Sequence, residues 1–313
     1  MELIFLGTPS FAVPTLERIV AAGHRVLAVF TQPDRPKGRG GQLAASPVKE
    51  TALRLGLPVH QPERVRRPEV VEQLRGMRPQ AMVVVGYGQI IPQSIIDIPP
   101  RGIINVHASL LPKYRGAAPI QWAVANGERR TGVTTMRIDA GLDTGDMLQK
   151  WETEIGAEEN AVELGQRLSR AGADLLIETL QRIEAGTIQP QPQDNSQATL
   201  APILKKEDGT IDWTWPAAKV FNRTRGFLPW PGAYSFFRSQ LFHIWKSRVA
   251  ESAPPGQPGR MIPQKKRLFV ACGEGSTLEP LEVQIEGRKR MSAEAFLNGQ
   301  HLHENETLGV TTA

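Results

Sequence analysis

The chain is 313 residues long, 40% hydrophobic and 22% charged, with a formal net charge of +5. This is the composition of a soluble globular protein with one large domain or two ordinary ones. A single cysteine, Cys272, excludes any intrachain disulfide and any cysteine-based zinc site, and its apolar context LFVACG reads as core. No apolar run reaches the roughly 18 residues that cross a bilayer, and Met1 and Glu2 lead into LIFLG with no basic leader. A cytoplasmic protein without a membrane partner is therefore expected.

Residues 2–6 form a short buried strand ended by Gly7. Ser10 is the expected N-cap of a helix whose apolar residues Phe11, Val13, Leu16, Ile19 and Val20 recur at helical spacing. Residues 25–31 return as a second strand, and a strand–helix–strand unit indicates a parallel sheet. The first turn reads Gly7-Thr8-Pro9-Ser10 rather than G-x-G-x-x-G, and no Walker A motif occurs. The fold expected is Rossmann-like without dinucleotide-binding hardware.

Residues 33–43 (PDRPKGRGGQL) carry two prolines, three glycines and the cations Arg35, Lys37 and Arg39. They read as a mobile basic loop with nothing to bury, either a solvated surface loop or an arm that meets phosphates. Helices at 47–55 and 68–76 flank a short strand at 58–60. Residues 81–86 (AMVVVG) are the most continuous apolar run and form a central strand, broken by Gly86-Tyr87-Gly88.

Residues 102–122 (GIINVHASLLPKYRGAAPIQW) begin as a buried β-branched strand and end as a loop forced by Ser109, Pro112, Gly116 and Pro119. Asn105 and His107 are two apart, so their side chains share one face where the strand gives way. An isolated Asn-x-His is ordinarily a pair of satisfied strand-end polar groups. At the carboxyl end of a strand in an open α/β sheet, the same pair occupies the usual place of an active site.

A helix at 117–125 and a strand at 132–138 follow. The loop 139–146 holds Asp139, Asp143 and Asp146; its spacing matches no calcium loop, and Asp139 and Asp146 read as turn formers. A strand at 147–154 and an amphipathic helix over roughly 158–185 complete this part. The polar, Pro- and Gln-rich stretch 187–204 marks a domain boundary, giving a catalytic domain at 1–188, a linker at 189–206 and a second domain at 207–313.

The second domain starts with a helix near 215–226. Short strand-like pieces then fall at 233–237, 241–249, 268–271, 277–285 and 307–311, the pattern of a small all-β barrel. Residues 205–313 carry a charge balance of +4 against +1 for 1–204. The clusters Lys265-Lys266-Arg267, Arg288-Lys289-Arg290 and Arg223/Arg225 make a nucleic-acid face one reading and a solvated surface the other. His301 and His303 have metal-like spacing but no third ligand type, and read as surface residues.

If the loop carrying Asp143 folds against the end of the 103–107 strand, a chemistry follows. An Asp beside a His fixes its tautomer and stabilises the imidazolium, and an Asn amide is a neutral donor able to hold an oxyanion. Ser109 lacks the G-x-S-x-G elbow of a hydrolase. Such a set suits direct acyl transfer from a donor to an amine, through a tetrahedral intermediate, with no metal.

The pieces FLGTPSFAVPTL (5–16), TQPDRPKGRG (31–40), GYGQIIP (86–92), INVHASLLPKYRGAAPIQWA (104–123), GLDTGDM (141–147) and RGFLPWPGAY (225–234) together resemble the methionyl-tRNA formyltransferases over essentially the whole chain. The resemblance implies an α/β, Rossmann-like formyltransferase domain with a parallel-type sheet, followed by an OB-like barrel. By that resemblance Asn105, His107 and Asp143 correspond to the catalytic trio, and Ser109, Leu110, Leu111 and Pro112 to the segment that contacts the folate. The donor would be 10-formyltetrahydrofolate and the acceptor the α-amino group of methionyl-initiator tRNA, giving N-formylmethionyl-tRNA. The loop around Arg35, Lys37 and Arg39 would enter the tRNA acceptor arm and the barrel would bind the tRNA body, with a monomer as the working form. A folate-dependent formyltransferase acting on a small amine such as an amino-sugar nucleotide is the alternative, because it would share the trio.

Overall fold

The computed structural model describes residues 1–37, 42–252 and 256–309. Contacts divide them into two units. The first comprises residues 1–119, 130–154 and 165–202, and the second residues 120–129, 155–164 and 203 onwards.

In the first unit, β1 (Glu2–Gly7), α1 (Val13–Ala21) and β2 (Arg25–Phe30) are followed by the short pair β3 (Arg35–Lys37) and β4 (Gln42–Ala44). Next come α2 (Pro47–Arg54), β5 (Val59–His60), α3 (Pro68–Gly76), β6 (Ala81–Val85), α4 (Gln93–Ile96) and β7 (Ile103–His107). The hairpin β8 (Arg130–Arg137) and β9 (Met147–Glu154), and the long helix α6 (Ala161–Glu184) from Gly165 onwards, complete the first unit, whereas the helix α5 (Pro119–Ala125) belongs from Ile120 to the second. Seven strands form one sheet in the order β5-β2-β1-β6-β7-β8-β9. The first five run parallel, and β8 and β9 are antiparallel to their neighbours.

Burial on both faces explains the near-continuous apolar strands. Alternate residues Ile4, Leu6, Met82, Val84 and Ile103 pack with Val70, Val71 and Leu74 of α3 and Ile95 of α4. The opposite face of β8 meets α6, where Thr135 and Thr179 share a hydroxyl hydrogen bond of 2.8 Å. Asn105 and His107 are in phase with Ile103, which puts them on the α3/α4 side of the sheet.

Two local expectations need correcting. Ser10 does not cap α1: it opens a 3-10 turn, Ser10–Ala12, and the residue before α1 is Ala12, with no side-chain cap. Pro14 at the start of α1 makes that cap dispensable, since it has no N–H to satisfy. The stretch 33–43 is also not a free loop at its root. Arg35, Pro36 and Lys37 pair antiparallel with Ala44, Leu43 and Gln42, and Asp34 is tied to Lys49 (2.6 Å) and Gln61 (2.7 Å).

The second unit contains α7 (Ala217–Gly226), β10 (Ala233–Phe237), β11 (Gln240–Val249), β12 (Met261–Gln264), β13 (Arg267–Ala271), β14 (Thr277–Ile285), β15 (Met291–Ser292) and α8 (Ala293–Gly299). Its antiparallel sheet runs β10-β11-β14-β13-β12, with β15 on β14. The predicted strand at 307–311 is instead a short bridging segment, described as far as Gly309. Glu306 O accepts from Met261 N (2.8 Å), and Phe236 and Gly309 exchange two main-chain bonds of 2.9 and 3.1 Å. This one segment bonds to the edge strand β10 and to Met261 at the start of the other edge strand, β12, which draws the sheet towards a barrel. Phe296 of α8 fills the interior against Phe237 (5.3 Å) and Phe242 (5.2 Å). Cys272 is core, and burial pushes its thiol up to about 12.

Much of the predicted basic face is committed internally. Arg248 and Arg267 both bind the carboxylate of Glu279, which is 3% exposed, and these two guanidinium groups hold that carboxyl at about 2. Lys266 pairs with Glu294 at 2.8 Å. Arg225 donates to the carbonyls of Gly156 and Glu159, and Arg223 lies over the rings of Trp122, Trp215 and Phe227.

Candidate active site

The strand β7 sits between β6 and β8, with Asn105 opposite Val84 and Met136, and His107 opposite Thr134. Both side chains are nearly buried, at 8% and 6% exposure. The loop between β8 and β9 turns back towards them. Asp139 makes that possible as a turn former, accepting from Gly141 N (3.0 Å) and Thr144 Oγ1 (2.7 Å). Gly145 is required at its base, because a Cβ there would lie 1.9 Å from the Arg137 carbonyl oxygen. Asp143 itself adopts φ +51°, a conformation that Asp tolerates better than most residues.

The Asp143 carboxylate is the hub of the site. Its Oδ1 accepts from Asn105 Nδ2 at 3.3 Å, and because a carboxylate only accepts, this fixes the orientation of the amide. Its Oδ2 accepts from Gly116 N at 2.8 Å and faces His107 Nδ1 at 3.6 Å. The last distance is an ion-pair separation rather than a hydrogen bond. His107 Nε2 lies 2.9 Å from the Tyr114 carbonyl oxygen, which can only accept, so the ring proton resides at Nε2. Nδ1 of the neutral ring therefore carries the free lone pair and looks towards the carboxylate. A proton arriving at Nδ1 would complete an imidazolium flanked by a carbonyl and a carboxylate.

The segment after β7 is internally satisfied. Ser109 Oγ donates to Lys113 O (2.6 Å), Thr134 Oγ1 donates to Ser109 O (2.7 Å), and Leu111 N donates to Thr134 Oγ1 (3.2 Å). Ser109 and Leu111 are buried, with Leu111 packed on Met136 and Met147, whereas Leu110 and Pro112 are half-buried. The result is an apolar shelf whose nearby polar atoms already have partners.

The structure thus brings Asn105, His107 and Asp143 together, beside the segment 109–112. Arg35 lies elsewhere in the unit, on β3, where its guanidinium reaches Gln32 Oε1 at 3.5 Å. Lys37 is placed by the backbone of β3, and Arg39 lies outside the described residues. Sequence reading did not find the Tyr114 carbonyl and the Gly116 N–H, since main-chain groups leave no compositional signal. The only hint was the Gly and Pro content of the loop. Among the described residues no group of three His, Cys, Asp or Glu side chains could hold a metal ion, and no helix is long and apolar enough to cross a membrane.

Comparison with known proteins identifies the architecture. Residues 1–180 match the family model described as formyl transferase, and residues 203–301 the model for the formyl transferase C-terminal domain. A methionyl-tRNA formyltransferase of Solibacter usitatus is 67% identical over 309 residues, covering 99% of both chains. One of Koribacter versatilis is 56% identical over 310 residues, with the same coverage. Among solved structures, a sugar 3N-formyl transferase determined in the presence of dTDP and 5-N-formyl-THF superposes with a TM-score of 0.68 at 17% identity, over 92% of this chain and 99% of that one. An N-formyltransferase from Helicobacter canadensis, in complex with folinic acid and dTDP-3-aminofucose, gives 0.67 at 18% identity over 89% and 98%. At such identities these structures share the fold and no more. A buried carboxamide–imidazole–carboxylate set at the end of a parallel strand, followed by an antiparallel barrel and matched over its full length by close relatives, leaves one assignment: the chain belongs to the methionyl-tRNA formyltransferase family.

Proposed function

We propose that this chain, working as a cytoplasmic monomer, transfers the formyl group of 10-formyltetrahydrofolate to the free amino group of methionyl-initiator tRNA. The observation that carries the chemistry is the Asp143 carboxylate bound at once to Asn105 and Gly116 and facing His107 Nδ1. The acceptor is carried by the relatives, since two chains that match end to end bear the name methionyl-tRNA formyltransferase.

The residues present fit a folate donor on the shelf after β7. Leu110 and Pro112 offer apolar surface there, while buried Ser109 and Leu111 hold its shape. The folate, when bound, supplies an activated formyl group on its N10. Asn105 uses one amide hydrogen on Asp143, and the other is available to hold the formyl oxygen as negative charge develops. His107 Nδ1 takes the proton that the attacking amine gives up and returns it to the departing nitrogen. Asp143 stabilises the imidazolium between those two events. A Ser or Cys nucleophile is not needed.

Residues 1–188 carry this transfer in our reading, the stretch 189–206 connects, and residues 207–313 hold the tRNA body. Arg35, Lys37 and Arg39 meet phosphates of the acceptor arm, with the β3/β4 pair fixing where their loop begins. The test is a formylation assay with 10-formyltetrahydrofolate and, separately, methionyl-tRNA, glycinamide ribonucleotide or an amino-sugar nucleotide. Product with methionyl-tRNA alone supports the reading. Product with a small amine and none with tRNA would overturn it.

A further inference from the structure

The stretch after α6 has the composition of a linker, yet residues 191–201 run along the first unit as a strap. Gln191 and Met147 exchange main-chain bonds of 2.8 and 2.9 Å, Arg115 N donates to Thr199 O (2.9 Å), and Ala201 N donates to Arg115 O (2.7 Å). Within the strap, one side chain has every polar atom engaged with the two loops that build the site. Gln193 Nε2 donates to the carbonyl oxygens of Asp143 (2.8 Å) and Gly145 (2.7 Å). Its Oε1 accepts from Nε (3.0 Å) and Nη2 (2.8 Å) of Arg115, and Nη2 also donates to Asn195 Oδ1 (2.8 Å). Arg115 is 7% exposed and lies between Tyr114, whose carbonyl receives His107 Nε2, and Gly116, whose N–H holds Asp143 Oδ2.

We propose that Gln193 is a positioning residue for formyl transfer, bridging the Asp143 turn to the Arg115 loop and so setting the line between the Asp143 carboxylate and His107. The proposal rests on the reading of Asn105, His107 and Asp143 as the catalytic trio. A carboxamide is the one side chain of this length that donates twice and accepts twice from a single planar group. Glu could still accept from Arg115 but would set a carboxylate against two carbonyl oxygens, and Leu could do neither. Asp143 at φ +51° and Tyr114 at φ +60° are both in the left-handed region, a conformation that persists where surrounding contacts over-determine it. Gln193 touches both turns through the polar atoms just named.

The experiment is a double-mutant cycle on the full-length enzyme with saturating 10-formyltetrahydrofolate and methionyl-tRNA. Gln193→Leu and, as a better-tolerated second variant, Gln193→Glu should each lower kcat by about tenfold or more, because a misplacement well under 1 Å at the reacting centre is enough for that. KM for both substrates should stay within about twofold, since no substrate contact is removed. In an Asp143→Asn background the same changes should cost less than about threefold, because the group they position is already gone. Unchanged kcat in both Gln193 variants, a rise in KM alone, or an equal loss in the Asp143→Asn background would overturn the positioning role. Near-wild-type kcat in Asp143→Asn alone would instead overturn the trio reading beneath it, and this proposal with it.

Discussion

Replacing Asp143 by Asn tests the hub of the site with little change of shape. Asn tolerates φ +51° at least as well as Asp, so the turn carries no new backbone cost. What disappears is the negative charge 3.6 Å from His107 Nδ1, together with one of the two accepted hydrogen bonds, because an amide nitrogen cannot accept from Asn105 or Gly116. At an effective dielectric of about 20, two unit charges at that separation attract by about 4–5 kcal/mol. This is the largest advantage that an imidazolium formed during transfer could lose, and the Asp143 side chain is 16% exposed, so solvent trims it. With each 1.36 kcal/mol worth tenfold in rate, the expected fall in single-turnover rate is about 10²–10³-fold. KM for methionyl-tRNA should be unchanged, and the melting temperature should move little. A rate within about threefold of wild type would refute the assignment of His107 as a proton carrier supported by Asp143.

The remaining predictions concern other parts of the chain. Asn105→Ala should lower kcat by about 10²–10³-fold, the usual cost of a lost oxyanion donor, and equal losses in kcat and kcat/KM would confirm that the contact forms in the transition state. Arg35→Ala should raise KM for methionyl-tRNA, leave kcat nearly unchanged, and reduce the slope of log binding against log salt by about one if one phosphate contact is lost; an unchanged salt slope would exclude that contact. Glu279 is held at about 2 in the folded chain against 4.5 in the free side chain. Its stabilising contribution is present above pH 4.5 and is lost as pH falls from there to about 2. Glu279→Gln should therefore lower the melting temperature at pH 7 and flatten its dependence on pH over that window, and parallel curves for the two proteins would refute it.

The parts of the site that could be read in the sequence were those carried by side-chain identity and strand period. Asn105 and His107 announce a shared face by their spacing, and the turn chemistry of Asp139 and the glycines marks the 139–146 loop as tightly folded. The approach of Asp143 to β7 was a supposition from chemistry, because a loop of that length can point in several directions. The strand β12 escaped because it is only four residues long and includes Pro263, which reads as a break. The helix α8 escaped because it is seven residues long and is capped by Ser292 without a capping-box partner. The partners of the basic clusters were hidden for a simpler reason: composition counts charges but not partners, and Arg267 of one cluster is engaged by Glu279. Gln193 was invisible on the same grounds, since a Gln in a Pro- and Gln-rich stretch looks like solvent-facing linker until its four hydrogen bonds are traced.

The geometry also explains why the run from Ile104 to Ala123 is so specific a signature. Two of the contacts that orient the trio come from the main chain of residues two apart: the Tyr114 carbonyl on His107 and the Gly116 N–H on Asp143. To present both, the chain must place Tyr114 at φ +60° and Gly116 at φ +118°, and a Cβ on Gly116 would fall 2.7 Å from the Ala201 carbonyl oxygen. Main-chain groups cannot be exchanged by substitution, so the sequence is constrained through the conformation it must adopt rather than through the atoms it contributes. None of these contacts involves the group that presents the amine. The same trio could serve any acceptor that delivers a neutral amine to it, and choice among acceptors must then be made by surfaces that the trio does not touch.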